Sequence, residues 1–188
     1  MTRRRKLAAA AAFFLAVCAA FLLAHHYYYR QAYPLGYQEL VERYSGKNGL
    51  EPSLTFAVIR TESSFEPCAQ SSVGAKGLMQ ITEDTCDWAA WRMGEESDYD
   101  SLYDAETNIR YGCYILSLLL EEFGSEETAL AAYHAGWGRV KEWLADSEYS
   151  PDGEHLSKIP YGDTRQYVRK VMDTKQIYEK LYHLSGQP

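Results

Sequence analysis

Asp104 to Phe123 reads DAETNIRYGCYILSLLLEEF, and within it Ile109, Gly112, Ile115, Leu116 and Leu119 recur at intervals of three and four. That spacing is the stripe of a helix and not the alternation of a strand. Downstream, Glu126 to Ala135 and Trp137 to Leu144 read as two shorter helices parted at Gly136. Tyr149 to Tyr161 is a loop holding Pro151, Gly153 and Pro160, after which Asp163-Thr164 opens a last helix reaching about His183. Upstream, Glu51-Pro52-Ser53 opens a helix to about Ser63, with Pro52 suited to a first turn. Tyr37 to Tyr44 predicts a short helix stopped at Ser45-Gly46. Between these, Pro67 to Gly77 is a loop rich in Ser and Gly, Leu78 begins a helical stretch through about Trp91, and Gly94 to Tyr99 is an acidic loop. No two neighbouring segments hold a period of two for long. The pattern predicts an all-α domain with irregular loops around a cleft.

Composition narrows the function classes. Five of the 19 basic residues and none of the 26 acids fall in the first thirty positions, so Gln31 to Pro188 carries a formal net charge of −12. A body this acidic argues against nucleic acid, which needs a basic face, and against electrostatic docking to anionic lipid or polymer. Those residues suffice for one domain with a proper core and not for two comfortable ones. Sixteen tyrosines are many for 188 residues, and tyrosine suits sugar stacking as well as core packing.

The first thirty residues read as an address. Arg3-Arg4-Arg5-Lys6 precedes Leu7 to Ala24, a run without a charge, and Tyr27-Tyr28-Tyr29 follows as an interfacial belt. A bilayer core takes about 20 apolar residues of helix, whereas a cleavable signal has an apolar stretch of roughly 7–15 and a small-residue cut site. Leu22-Leu23-Ala24-His25-His26 is a poor cut site, so one uncleaved transmembrane helix is expected, its arginines cytoplasmic and the rest outside; cleavage would make the protein secreted instead. The expected organisation is residues 1–30 as basic tip and anchor, 31–50 as linker and first short helix, and 51–188 as the functional domain. Cys68, Cys86 and Cys113 then lie outside, an odd number without C-x-x-C or a histidine at ligand spacing. Three buried free thiols are expected, with no metal site and no cofactor.

Glu62 stands out on physical grounds. At 100° per residue it projects between Val58 and Ile59 at the end of its helix, facing the Ser/Gly loop. A carboxylate among apolar neighbours loses hydration, so its pKa should rise towards that of a general acid at neutral pH.

The company Glu62 keeps is specific. Thr61-Glu62-Ser63-Ser64-Phe65 and then Ser71-Ser72-Val73-Gly74-Ala75-Lys76-Gly77-Leu78-Met79-Gln80 resemble the Slt-type lytic transglycosylases, whose pattern is Glu-Ser, a short gap, then Ser-x-x-Gly-Ala-x-Gly-Leu-Met-Gln. Three more blocks agree in order and spacing: Asn108 to Tyr114, Ala131-Ala132-Tyr133-His134-Ala135-Gly136, and Ile159 to Val168. Together they span about Leu54 to Lys180. The resemblance implies a lysozyme-like (SLT) fold and cleavage of the β-1,4 bond between N-acetylmuramic acid and N-acetylglucosamine in peptidoglycan. It places Glu62 as the single acid and base, closing a 1,6-anhydro ring on the muramic acid. It also implies substrate-binding positions at Ser71, Gly77, Met79, Gln80, Tyr133 and Asp163, with the Tyr133 hydroxyl pointing at the catalytic carboxyl. For several of these an ordinary structural role competes. Ser71 also suits a turn, Gly74 and Gly77 suit turns as well as close approach of glycan, Met79 suits a core, and Asp163 suits a helix N-cap before Thr164. Arg165, Tyr167 and Asn108 read as structural.

Three positions depart from the family pattern: His134 stands where Asn is usual, Asp163 where Glu is frequent, and Glu83 where Pro is common. Two other functions compete with the membrane-anchored transglycosylase. A hydrolytic muramidase of the goose-lysozyme type needs a carboxylate holding water opposite Glu62, for which Asp84, Asp104 and Asp163 are candidates. A wall-binding scaffold would have lost the reaction, yet Glu62 and Tyr133 are both present. The expected partners are glycan strands and the membrane, without nucleic acid. No separate wall-binding module is visible, which leaves room for recruitment by cell-wall or secretion machinery.

Overall fold

The computed structural model describes residues 3–184, and among them helices account for all regular structure beyond two isolated bridges. Two compact units divide at Pro34. The first is essentially one helix, α1 (Arg3–Ala32), about 45 Å long at 1.5 Å per residue. Its stretch Ala10–Ala32 is long and apolar enough to cross a membrane by length and composition.

The second unit is built around α3 (Pro52–Glu62), in which every residue from Ser53 to Ile59 is buried. A helix apolar nearly all round belongs inside a core, and Pro52 at its first turn costs no hydrogen bond. Its two buried hydroxyl residues are treated differently: Thr55 accepts from Ser45 at 2.8 Å, while the Ser53 hydroxyl has no hydrogen-bond partner among the described residues. α2 (Gln38–Lys47) and α8 (Gly162–Tyr182) pack on α3, the α8 contact being the most extensive in the domain. α5 (Ala105–Phe123) presents Ile109, Ile115, Leu116 and Leu119 to the core, as its spacing predicts. It packs on α6 (Glu126–Ala135), which in turn meets α7 (Trp137–Leu144) and α8.

Some expected boundaries are corrected. The short second helix continues through Ser45-Gly46 to Lys47, because Ser45 is buried and its hydroxyl is tied to Thr55. No helix begins at Leu78. Residues 77–82 turn instead, and α4 runs Glu83–Met93. The cause is local: Gly77 and Gln80 take left-handed backbone at φ 75° and 49°, and Lys76 pairs with Ile81 across the turn. Asp163 is not a cap; Tyr161 occupies the N-cap and Asp163 sits in the first turn, where its carboxylate accepts from Thr164 N at 2.7 Å. The thiols are all free, but only Cys86 and Cys113 are buried; Cys68 is exposed on the loop after α3.

Candidate active site

Glu62 is the last residue of α3 and is half-buried. The chain turns sharply beyond it, with Ser64 and Phe65 both at positive φ, a costly pair for residues with side chains. Ser63 holds the corner: its hydroxyl donates to the Leu78 carbonyl at 2.8 Å and so ties the end of α3 to the Ser/Gly loop. Burial pushes the Glu62 carboxyl up to about 7, against the opposing pull of a Tyr167 hydrogen bond and the Lys170 charge. The rise anticipated from its apolar helix position is therefore present, with desolvation as its cause.

The hydroxyl on this carboxyl is not the one expected. Tyr133 donates to the Met79 carbonyl at 2.6 Å, whereas Tyr167 donates to Glu62 Oε1 at 2.7 Å. Tyr133 is still close enough for the Glu62 charge to raise its phenol pKa further, beyond what burial does. From sequence alone Tyr167 reads as structural, yet it is the residue that holds Glu62. Its signal was present but faint: it lies one turn from Thr164 and Val171 on the buried stripe of α8, and a buried tyrosine hydroxyl needs a partner. Which partner depended on α8 docking against α3. The face of Tyr167 carries the His134 ring, with centroids 4.5 Å apart. His134 Nδ1 lies 3.1 Å from the Thr164 hydroxyl, burial lowers its pKa, and Asp163 pulls the other way.

The loop 71–80 supports this corner from beneath. Asn108, fully buried on α5, accepts from Met79 N at 2.8 Å and donates to the carbonyls of Lys76 and Leu102. Gly77 is packed against it: a Cβ there would sit 2.2 Å from Asn108 Nδ2 and 2.3 Å from the Leu102 carbonyl. The close approach that requires glycine at 77 is thus by Asn108 and Leu102. Met79 is likewise a core side chain, its sulfur filling the space a Cβ on Gly112 would need, and only its carbonyl turns to the site. Ser71 closes its own turn, its hydroxyl accepting from Ala75 N at 3.0 Å. Gln80 folds back, its amide donating to the carbonyls of Ala69 and Gly77. Lys76, buried beneath the loop, pairs with Asp100 at 2.6 Å and lies over the Tyr99 ring.

Beside Tyr133 opens a cavity of about 380 Å³, walled by Gln80, Trp88, Ile115, Leu119 and Trp137 among others. Of the three acids weighed as partners for Glu62, Asp84 lines this cavity and Asp163 is exposed at the start of α8. Asp104 is committed to capping α5, where it accepts from the Thr107 amide and hydroxyl. Among the described residues no cluster of three or more His, Cys, Asp or Glu could hold a metal ion.

An all-helical domain with a half-buried glutamate at the end of its central helix fits the lysozyme-like fold. The chain belongs to the Transglycosylase SLT domain family, whose model matches residues 39–155. It is similar to the soluble lytic murein transglycosylase of Salmonella typhimurium, 36% identical over 162 residues, covering 84% of this chain and 24% of that protein. It is also similar to the membrane-bound lytic murein transglycosylase C of Pectobacterium atrosepticum, 30% identical, covering 77% of this chain and 47% of that one. Among solved structures, the 70 kDa soluble lytic transglycosylase of Escherichia coli aligns with a TM-score of 0.73 and 32% identity over 82% of this chain and 26% of that chain. A complex of the 70-kDa soluble lytic transglycosylase with bulgecin A aligns with the same TM-score at 31% identity, over 85% of this chain and 26% of that chain. The chain spans about a quarter of the length of the soluble relatives.

Proposed function

We propose that this domain is a peptidoglycan lytic transglycosylase that cleaves the β-1,4 bond between N-acetylmuramic acid and N-acetylglucosamine without water. The observation that carries the reading is the Glu62 carboxyl, raised to about 7 and held by the Tyr167 hydroxyl, so that near neutrality it can both give and take a proton. Protonated Glu62 gives its proton to the glycosidic oxygen as the bond from C1 to that oxygen breaks. The muramic C6 hydroxyl oxygen then bonds to C1, its proton passes to the Glu62 carboxylate, and the enzyme regains its starting state. Because the nucleophile belongs to the same sugar, proximity supplies the attack and no second carboxylate is needed to activate water. The groups acting on Glu62, which are burial, Tyr167 and the cation Lys170, suit that one-carboxylate chemistry. Ser71, Gly77, Met79, Gln80, Tyr133 and Asp163 belong to the substrate side of this proposal. On the geometry above, Gly77 and Met79 act by shaping the backbone at the corner, while Gln80 and Tyr133 border the cavity.

The apolar stretch of α1 and the arginines before it support a single-pass anchor with the domain outside the cytoplasm. Mass spectrometry of muropeptides released by the full chain in detergent tests the chemistry. Products ending in 1,6-anhydro-muramic acid, one water lighter than reducing ends, are expected, and Glu62→Gln should release none. Reducing ends would instead make the protein a muramidase, and full activity in Glu62→Gln would remove that residue from its role.

A further inference from the structure

One aromatic ring near the reacting carboxyl has no part in the proton transfers. His134 stands in the last turn of α6, just before the break at Gly136, and meets α8 at two points. Its ring lies against that of Tyr167, with centroids 4.5 Å apart and planes inclined by 32°. Its Nδ1 is 3.1 Å from the Thr164 hydroxyl. Thr164 and Tyr167, one turn apart, share a face of α8, and both are buried. A single imidazole thus spans the pair. Its edge is fixed on Thr164, and its face lies on the phenol that donates to Glu62.

A phenol keeps a 2.7 Å bond to a carboxylate only while its ring holds one orientation. Tyrosine has two side-chain torsions to restrain, and a ring packed on its face restrains both. Asparagine, usual at this position in the family, would offer Thr164 an amide but Tyr167 no ring. Histidine keeps a hydrogen-bonding nitrogen and adds the face. The charge of His134 is not what reaches the carboxyl: Glu62 answers to burial, Tyr167 and Lys170 of α8, with Tyr133 of α6 close by. Burial lowers the His134 pKa against the pull of Asp163, so the imidazole is largely neutral where Glu62 titrates, at about 7. The contact acts by packing and orientation.

We propose that His134 is a positioning residue: pinned by Thr164, its ring holds the Tyr167 phenol in register with Glu62, a support this chain has in place of the usual asparagine. The proposal rests on Glu62 as the acid and base of the reaction above.

The test reads the Glu62 pKa directly, by carbon NMR of the full chain in detergent with labelled glutamate carboxyls, the signal being assigned by its loss in Glu62→Gln. Tyr167 favours the ionised form, so loosening its bond should raise the value. His134→Asn should raise it by about 0.5–1, the size of one lost aromatic contact. His134→Phe, which restores a ring face without the nitrogen, should bring it back towards wild type. In a Tyr167→Phe background His134→Asn should leave it where it is, because the bond it supports is already gone. Position 134 is exposed, so neither change opens the core. On peptidoglycan, His134→Asn should lower kcat about three- to fivefold with KM unchanged. An unmoved or lowered Glu62 pKa in His134→Asn, an equal shift with and without the Tyr167 hydroxyl, or no recovery in His134→Phe would each overturn the proposal. The expected shifts in a chain whose wild type releases no anhydro products would sink the lytic reading alone; anhydro products with an unmoved pKa would sink the positioning role alone.

Discussion

Across 105 positions of sequence, the Tyr167 hydroxyl donates a 2.7 Å hydrogen bond to Glu62 Oε1 and so joins the end of α3 to the second turn of α8. The bond favours the ionised carboxylate and opposes the burial that raises its pKa. Tyr167→Phe should therefore let the Glu62 pKa climb above about 7, moving the alkaline limb of the pH–rate profile to higher pH. It should also lower kcat about tenfold, the worth of a hydrogen bond to a charged group. A purely structural tyrosine would lower activity without moving that limb.

For the wild type, kcat/KM should fall as pH rises through about 7, because the first step requires protonated Glu62. A profile flat to pH 9 would place the acid elsewhere.

Stability should carry the opposite face of the same shift. Between the ordinary carboxylate range near pH 4 and about pH 7 the native state holds a proton on Glu62 that the unfolded chain has released, so rising pH destabilises the fold across that window. Glu62→Gln removes this penalty. Its stability relative to the wild type, from urea unfolding at pH 5 and pH 8, should increase by about 1–3 kcal/mol at the higher pH.

Asn108→Ala should cost about 2–4 kcal/mol, since it leaves Met79 N and the Lys76 and Leu102 carbonyls without their buried partner. Gly77→Ala should be at least as damaging, combining a φ of 75° with contacts of 2.2 and 2.3 Å. Thermal unfolding of both variants checks this, and a Tm shift under 2 °C in either would contradict the packing described, since about 1 kcal/mol already moves Tm by several degrees at this size.

In intact cells, a membrane-impermeant maleimide should label Cys68, which is exposed, and spare Cys86 and Cys113, which are buried. Loss of labelling in Cys68→Ser confirms the site. Labelling only after lysis would put the domain on the cytoplasmic side.

Much of this architecture is legible in the chain before it folds. The three-and-four spacing of Ile109 to Leu119, Pro52 at a first turn and the break at Gly136 are local signals, governed by sterics within one or two turns, and α3, α5, α6 and α7 follow them closely. The 77–82 segment departs from its local signals. Leu78 to Trp91 has a helical composition, but Asn108, 29 positions from Met79, takes up the backbone groups that a helix would have used.

Glu62 and its raised pKa could be inferred from sequence because a helix position between two apolar residues already implies desolvation. The division of labour among the tyrosines could not. Tyr133 and Tyr167 are equivalent as sequence, each an aromatic on a buried helical stripe. Periodicity states that a hydroxyl will be buried, but its partner is chosen only when the helices dock. Docking α8 on α3 gave Tyr167 to Glu62, and docking α6 over the 77–82 turn gave Tyr133 to Met79. Helix content and the identity of the desolvated carboxylate are short-range properties, set by spacing within one or two turns of the chain. The hydrogen bonds that tune that carboxylate are long-range ones, fixed only on folding, because they form between elements whose approach depends on the packing of the whole core.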